Sequence, residues 1–376
     1  TVKGKFVLVS QKEITGRTDS QWEEYATEES FEKMKKERES YQNKWYRSLS
    51  NTGVGYRDLN KTIENAGAVG LISSEWSEAF GANKVFDAET EKIPNIDLNL
   101  EDYTMLYRLV ENERKPILKV VATSKEHGDV PTFNTIGMIK GVEKPNEYVI
   151  LSAHFDSWDG GQGTTDNGTG SIVMLEAMRI LKKLYPNPKR TIMVGHWGSE
   201  EQGLNGSRAF VEDYPEIVDN IQALFNQDNG TGRVVELSGS GFLHSYEYLS
   251  RWLSAVPNEV VKHIETEFPG SPGSSGTDHA SFVAAGAPAF NLSSLDWAYW
   301  DHTWHTNLDT YDKIVFDDLK NNVILSVVLA YMASEDKERA SREKRVMPKR
   351  INPFTGRSIG GWPQIRKPNR DGTLSK

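Results

Sequence analysis

The chain is patterned as short apolar runs that stop at clusters of acidic residues and histidine. Residues 148–151 (YVIL) form such a run and deliver His154 and Asp156 where the apolar character ends, the signature of a strand buried on both faces. A Gly-rich loop carrying Asp166 follows, and residues 171–184 then place Ile172, Leu175, Met178 and Leu181 at helical spacing. A second β run, 191–194, leads into Glu200-Glu201-Gln202-Gly203, and a third, 221–228, ends in Asp228. Strand, helix and strand in alternation predict an α/β domain built on a mixed, mostly parallel sheet flanked by helices. In such sheets the ligand crevice lies beyond the carboxyl ends of the strands, so His154, Asp156, Asp166, Glu200 and Glu201 are expected to converge there.

Around this centre the pattern predicts a strand over 132–144, a helix over 246–255 and a strand over 287–292. An amphipathic helix over 316–334 closes the domain. Residues 269–276, rich in Gly, Ser and Pro, read as a flexible loop. The region 1–128 reads as a separate β-rich module with strands at 5–9, 68–72 and 116–121 and a helix at 56–66. A helical insert lies at about 12–50, its Glu, Lys and aromatic residues suiting a solvated face with i,i+4 ion pairs. The catalytic domain is then 129–336, and 337–376 is an extended arm.

Composition narrows the field. At 376 residues, 37% hydrophobic and 26% charged, this is a soluble globular chain long enough for two domains. The net charge of −9 is uneven: the arm from Lys337 holds 12 Lys and Arg against 3 Asp and Glu, so the body is markedly acidic. An acidic body argues against nucleic acid as partner, and no stretch is apolar for the roughly 18 residues a membrane span needs. The arm is read as packing on an acidic surface of the body or on a second subunit, which makes a homodimer one expected partner. With no cysteine, thiolate metal sites are excluded. The chain opens on Thr1 and runs straight into a β run, so a targeting segment is expected to have been removed.

One imidazole and several carboxylates brought together are costly without a cation, because like charges repel and desolvation adds to the cost. Mixed His and carboxylate ligands suit Zn2+ and, less well, Mn2+ or Co2+. His305, in WHTNLDT, is a further candidate of the same kind.

HFDSWD with GTTDNGTG, then GSEEQGLNGSRAF, FNQDNG, GTDHASF and HTNLDTYDKI follow one another in an order and spacing that resemble the co-catalytic di-zinc exopeptidases. That family includes bacterial leucyl aminopeptidases and glutamate carboxypeptidase, and HFDSWD-x-GQG with EEQG is nearest to its plasma glutamate carboxypeptidase branch. The resemblance covers about residues 133–336 and implies two Zn2+ per chain and short peptides as substrates. It assigns His154 and Asp228 to one zinc, Glu201 and His305 to the other, and Asp166 to both as a bridge. Glu200 matches the general base, and Asp156 the carboxylate that orients the first histidine. The module 1–128 resembles the protease-associated domain many relatives carry. Such proteins usually work outside the cytoplasm, so a periplasmic or secreted location is expected.

Other readings stand beside these. Asp156 and Asp166 suit ordinary Gly-rich turns, Glu200-Glu201 suits a first helical turn, and His302 competes with His305 as ligand. Asp278 and His279 lie near the pocket in the family, although Thr277-Asp278 also reads as a helix cap. Where some members have an oxyanion-supporting tyrosine before the last histidine, this chain has Trp304, and Tyr299 is the candidate substitute. The function expected is a metal-dependent exopeptidase, whether aminopeptidase, dipeptidase or carboxypeptidase. The alternatives are a single-zinc glutaminyl cyclase-like acyltransferase and a non-catalytic binding protein on the same scaffold. A metal content near two per chain separates the first from both.

Overall fold

The computed structural model describes residues 2–55, 58–125, 127–273, 276–351 and 358–370. It divides into two compact units. The first comprises Thr1–Glu126 together with two short pieces from later in the chain, Trp158–Gly161 and Trp300–Asp309. The second holds His127–Ser157, Gln162–Tyr299 and Thr310–Lys376.

The first unit is built on three short parallel strands, β1 (Phe6–Leu8), β2 (Gly70–Ser73) and β3 (Asn95–Asp97), with β2 central. Helices α1 (Asp19–Tyr25), α2 (Glu28–Asn51), α3 (Leu59–Asn65) and α4 (Leu100–Glu111) complete it. Thr18 and Thr27 cap α1 and α2 by accepting from Gln21 and Ser30 N–H groups, so the insert is two helices instead of one. Met34 alone is buried along α2, which suits a solvated helix. Residues 116–121 were expected as a strand and form none: Ile117 and Val121 are exposed, and no strand among the described residues pairs with them. A β-branched run supplies propensity, but a strand needs a partner edge. The late pieces are tied in by backbone bonds, Val85 N–H donating to the His305 carbonyl at 2.7 Å, and by an isolated bridge between Lys84 and Thr306.

The second unit is organised by a seven-stranded sheet of order β4-β6-β5-β7-β10-β8-β9. Its strands are β4 (Thr135–Ile139), β5 (Lys144–His154), β6 (Arg190–Trp197), β7 (Ile221–Asn226), β8 (Val234–Ser238), β9 (Glu265–Glu267) and β10 (Ala289–Ser294). β6, β5, β7 and β10 run parallel, while β4 pairs antiparallel with β6 and β8 with β10. Val149, Ile150, Leu151 and Ala153 have no exposed surface, as a central strand covered on both faces requires. The chain goes from β5 to β6 on one side and then crosses to β7 on the other. This reversal puts the crevice at the carboxyl end of β5.

Helices α5 (Thr169–Leu184), α6 (Asn205–Asp213), α7 (Ser245–Leu253), α8 (His279–Ala284) and α9 (Phe316–Glu335) flank the sheet. On α5 the buried face is Val173, Met174, Ala177, Met178 and Leu181, whereas Ile172 and Leu175 are half exposed, so the helix is rotated from the face the spacing suggested. The stripe α9 turns inward includes Asp318 and Asn322, which accept from the N–H groups of Arg233 and Val234 at 3.0 and 2.8 Å. Described parts of the arm belong to this unit and include an antiparallel pair of short strands, β11 (Lys349–Ile351) and β12 (Ser358–Gly360).

Arg190, at the start of β6, is fully buried. Its Nε donates to Glu147 at 2.6 Å, and Nη1 donates to the carbonyls of Ser334 and Asp336 at 2.9 and 2.5 Å, so it caps the carboxyl end of α9. Arg190→Met is expected to cost about 3–5 kcal/mol in urea unfolding, the usual cost of breaking a buried charged pair. Burial alone would raise the Glu147 carboxyl, but hydrogen bonds from Arg190 and Lys144 hold it below its ordinary 4.5. Its stabilisation is therefore present above about pH 4.5 and lost as pH falls through the lower folded value. The stability gap between wild type and Glu147→Gln should close on acidification, and a gap that stays constant with pH would remove the ion pair from the account.

Candidate metal centre

The parallel register aligns the ends of three strands. His154 is opposite Trp197 across β5 and β6, and Ser152 is opposite Asn226 across β5 and β7. The loops after those strands therefore leave from one line, carrying Asp156, Glu200 with Glu201, and Asp228. Asp166 arrives from the loop before α5, where its peptide bond to Asn167 is cis. Here glycine is required: a Cβ on Gly170 would sit 2.3 Å from the Gln227 carbonyl oxygen, so only glycine lets the first turn of α5 meet the end of β7. Asn167 fastens the same junction, its Nδ2 donating to the Gln227 carbonyl at 3.0 Å.

His154 Nε2 lies 3.0 Å from Asp228 Oδ1 and 3.3 Å from Asp166 Oδ1. Its Nδ1 faces the Asp156 carbonyl at 2.9 Å. A carbonyl only accepts, so Nδ1 carries a proton and Nε2 is the atom turned to the carboxylates. The Asp156 carboxylate is farther from Nδ1, at 3.8 Å, and is held instead by the backbone of the acidic pair. Oδ1 accepts from the Glu200 N–H at 3.1 Å and Oδ2 from the Glu201 N–H at 3.2 Å. Asp156 thus joins the histidine to the Glu200 loop through its main chain and side chain together.

Ligand atoms of His154, Asp166 and Asp228 lie within 4.8 Å of one another, and the three side chains are buried. Carboxylate oxygens of Asp166 and Glu201 also approach within 4.8 Å. The electrostatics show the cost. Burial drives the Glu200 carboxyl well above its ordinary range, and Asp228, Asp278 and Glu201 add to the rise while His154 opposes it. Burial likewise pushes Asp166 up to about 6, against the hydrogen bond from His154. For His154 burial would lower the value, yet Asp228 and Asp166 outweigh it and raise it well above normal. Without a cation, protons hold the cluster together. A divalent ion coordinated by one imidazole and two carboxylates removes the need for them, and this donor set is one that zinc takes.

Tyr299 is buried, with its hydroxyl hydrogen-bonded to Asp166; burial, then the nearby carboxylates, keep the phenol protonated far above the ordinary range. Asp278 and His279 are buried at the start of α8, and Asp278 makes no capping bond, so the helix-cap reading fails in its side-chain form. Burial raises Asp278 to about 7 and lowers His279 to about 4. His305 and Trp304 lie in the first unit. The His305 ring packs 4.9 Å from Phe86 and 4.1 Å from Trp304, over which the Lys84 ammonium sits at 4.4 Å. Trp297 and Tyr299 belong to the second unit, and Trp300 and Trp304 to the first. Ser274 and Ser275 of the expected flexible loop lie outside the described residues.

Some structural partners of the site escaped the sequence pattern. Ser152 Oγ accepts from the Trp197 indole and donates to Asn226, each at 2.7 Å, and Ser171 Oγ donates to the His154 carbonyl at 2.6 Å. Polar residues inside an apolar run were the available signal: Ser152 and Asn226 interrupt strands that otherwise read as core.

The model of peptidase family M28 matches residues 134–330, the stretch that contains His154, Asp166, Glu200, Glu201, Asp228 and His305. The chain belongs to this peptidase family. Carboxypeptidase Q of Xenopus laevis is 29% identical over 261 residues, covering 68% of this chain and 53% of that protein. The chain thus spans about half the length of the curated relatives it matches. A peptidase M28 precursor from Shewanella amazonensis shares the fold with a TM-score of 0.61 at 22% identity, covering 75% of this chain and 63% of that one. A zinc aminopeptidase from Bacillus subtilis does so with a TM-score of 0.53 at 23% identity, over 77% and 70% of the two chains. The doubly wound, mostly parallel architecture is that of these M28 structures. No described helix is long and apolar enough to cross a membrane.

Proposed function

We propose that this member of the M28 family is a zinc-dependent exopeptidase that hydrolyses short peptides. The observation that carries the reading is the buried convergence of His154, Asp166 and Asp228, with Glu200 held on the same floor by Asp156. His154 and Asp228 would hold one zinc and Glu201 the second, with Asp166 shared between them. His305 is proposed as the remaining ligand from its place in the WHTNLDT motif, by resemblance. Bound zinc would supply Lewis acidity at the scissile carbonyl and lower the pKa of the attacking water.

The chain's own groups do the rest. Glu200 takes the proton from that water and passes it to the leaving amine, a role suited to a buried carboxylate that accepts protons readily. Asp156 fixes the Nδ1-protonated form of His154 through its carbonyl and the loop of Glu200 through its carboxylate. Tyr299, kept protonated by its surroundings, is positioned to donate a hydrogen bond at the edge of the cluster. A location outside the cytoplasm and a protease-associated role for the first unit belong to the same proposal and rest on resemblance, and a homodimer belongs to it on the basic character of the arm.

The deciding experiment is zinc analysis together with cleavage of free, N-blocked and C-amidated dipeptides. Two zinc ions per chain are expected, with turnover abolished by a chelator and restored by zinc. Loss of cleavage on N-blocking would indicate an aminopeptidase or dipeptidase, and loss on C-amidation a carboxypeptidase. A folded chain that binds no metal and cleaves nothing would transfer the reading to a binding protein on this scaffold.

A further inference from the structure

The loop that carries Glu200 and Glu201 is fastened at two ends, and only one of them belongs to the metal centre. Its upstream half is pinned by Asp156. Its downstream half is a tight, partly left-handed turn: Ser199, Gly203 and Leu204 have φ of 55°, 103° and 59°. Leu204 offers no side-chain cap to α6, which starts at the next residue. Non-glycine residues in this region are held there by their surroundings.

Asn205 supplies the hold. Its N–H donates to the Ser199 carbonyl at 3.0 Å, closing the turn, and its Nδ2 donates to the Gln202 carbonyl at 3.2 Å. The remaining atom, Oδ1, accepts from the backbone N–H of Asn369 at 2.8 Å, 164 residues away in the basic arm. The arm is anchored on either side of that contact. Trp362 donates to the Val283 carbonyl at 2.9 Å and stands edge-on to Phe242, with ring centres 5.3 Å apart. Arg370 pairs with Glu212 and Asp213 at 3.1 and 2.6 Å, in the last turn of the same α6 that Asn205 begins. These exposed pairs are individually weak, so the Trp362 anchor matters more to docking. Between arm and loop runs a groove of about 570 Å³ whose walls include Ser199 and Gln202, on either side of the acidic pair, and Pro368 with Arg370.

We propose that Asn205 is a positioning residue through which the C-terminal arm holds the Glu200–Glu201 loop in its working geometry. This rests on the reading of Glu200 as base and Glu201 as ligand, and it gives the arm a part in the site beyond covering an acidic surface. A sub-ångström shift of Gln202–Leu204 is transmitted directly to the carboxylate that must face water and to the one that must face metal.

The test is hydrogen exchange of the loop in the full chain, alongside zinc binding and turnover, for Asn205→Ala, Asn369→Pro and Arg370→Glu. Asn369→Pro removes the donating N–H and leaves the loop sequence intact. Exchange at residues 200–204 is expected to rise about three- to tenfold in Asn205→Ala and Asn369→Pro, the size of one net hydrogen bond, with a smaller rise in Arg370→Glu. Amides of β5 and β7 should keep wild-type protection, which shows that the fold is intact. Turnover should fall through kcat while KM stays near wild type, and zinc should bind more weakly. Combining Asn205→Ala with Asn369→Pro should add almost nothing to Asn205→Ala alone, because Asn205→Ala already cuts the connection that Asn369→Pro removes, together with the Gln202 bond. Unchanged loop exchange in Asn369→Pro, or additive effects in the double variant, would overturn the proposal. Exchange needs no substrate, so a wild-type chain without peptidase activity would sink the functional reading and still leave this connection to be judged.

Discussion

Glu200→Gln is expected to retain zinc and lose turnover by about 10²–10⁴-fold or more, the range over which a general base contributes. The amide keeps the size of the side chain and, in the proposed assignment, Glu200 coordinates nothing, so metal content should equal that of wild type. Stability provides a second, independent reading. In the folded, metal-free chain burial raises the Glu200 carboxyl well above its ordinary 4.5. A carboxyl raised on folding favours the fold only while protonated, so it weakens the fold progressively as pH rises above the unfolded value. Neutral glutamine removes that penalty. Chelator-treated Glu200→Gln should thus be more stable than chelator-treated wild type at about pH 8, with the difference vanishing near about pH 4. Undiminished turnover would remove Glu200 from the role of base, and loss of zinc would reassign it as a ligand.

Much of the second unit was legible because its strands are apolar on both faces and stop where the chemistry begins. Residues 148–151 read as a central strand, and β5 is one; the rule that parallel sheets open at their carboxyl ends put His154 and Asp166 at one crevice, and Asp228, read as a further candidate at the end of the next run, lies with them. Side-chain direction was less legible. Ile172 and Leu175 carried the apolar spacing of α5, yet the helix buries Val173, Met174 and Ala177, and its first turn packs with Gly170 against the Gln227 carbonyl. Local patterns misled most in the first unit, where strands of three or four residues carry little periodicity and 116–121 has strand propensity without a partner. Long-range polar bonds were invisible for a different reason. Arg190 reaching the end of α9 and Asn369 reaching Asn205 join residues more than 140 positions apart, and no local window reports such a contact.

Asp166→Ala should abolish metal binding and activity together, which distinguishes it from Glu200→Gln. Among the described residues, Asp166 is the one side chain whose ligand oxygens lie within reach of both His154 with Asp228 and Glu201. An aspartate that merely shaped a Gly-rich turn would leave zinc content unchanged when replaced. For wild type, zinc at about a thousandfold its dissociation constant should add about 4 kcal/mol of stability, read as a rise in melting temperature on zinc addition. That increment is expected to disappear in Asp166→Ala. The metal-free variant should nonetheless hold its fold, because removing one buried carboxylate relieves its repulsion with Asp228 and Glu201, both of which raise its pKa. Asp166→Asn refines the result: it keeps a hydrogen-bonding partner for Tyr299 while removing the charge. If charge-bearing coordination is what Asp166 provides, Asn should fail as completely as Ala in zinc content. Recovery of wild-type zinc in Asp166→Asn would mean that Asp166 shapes the pocket and that the cations are held by the other carboxylates.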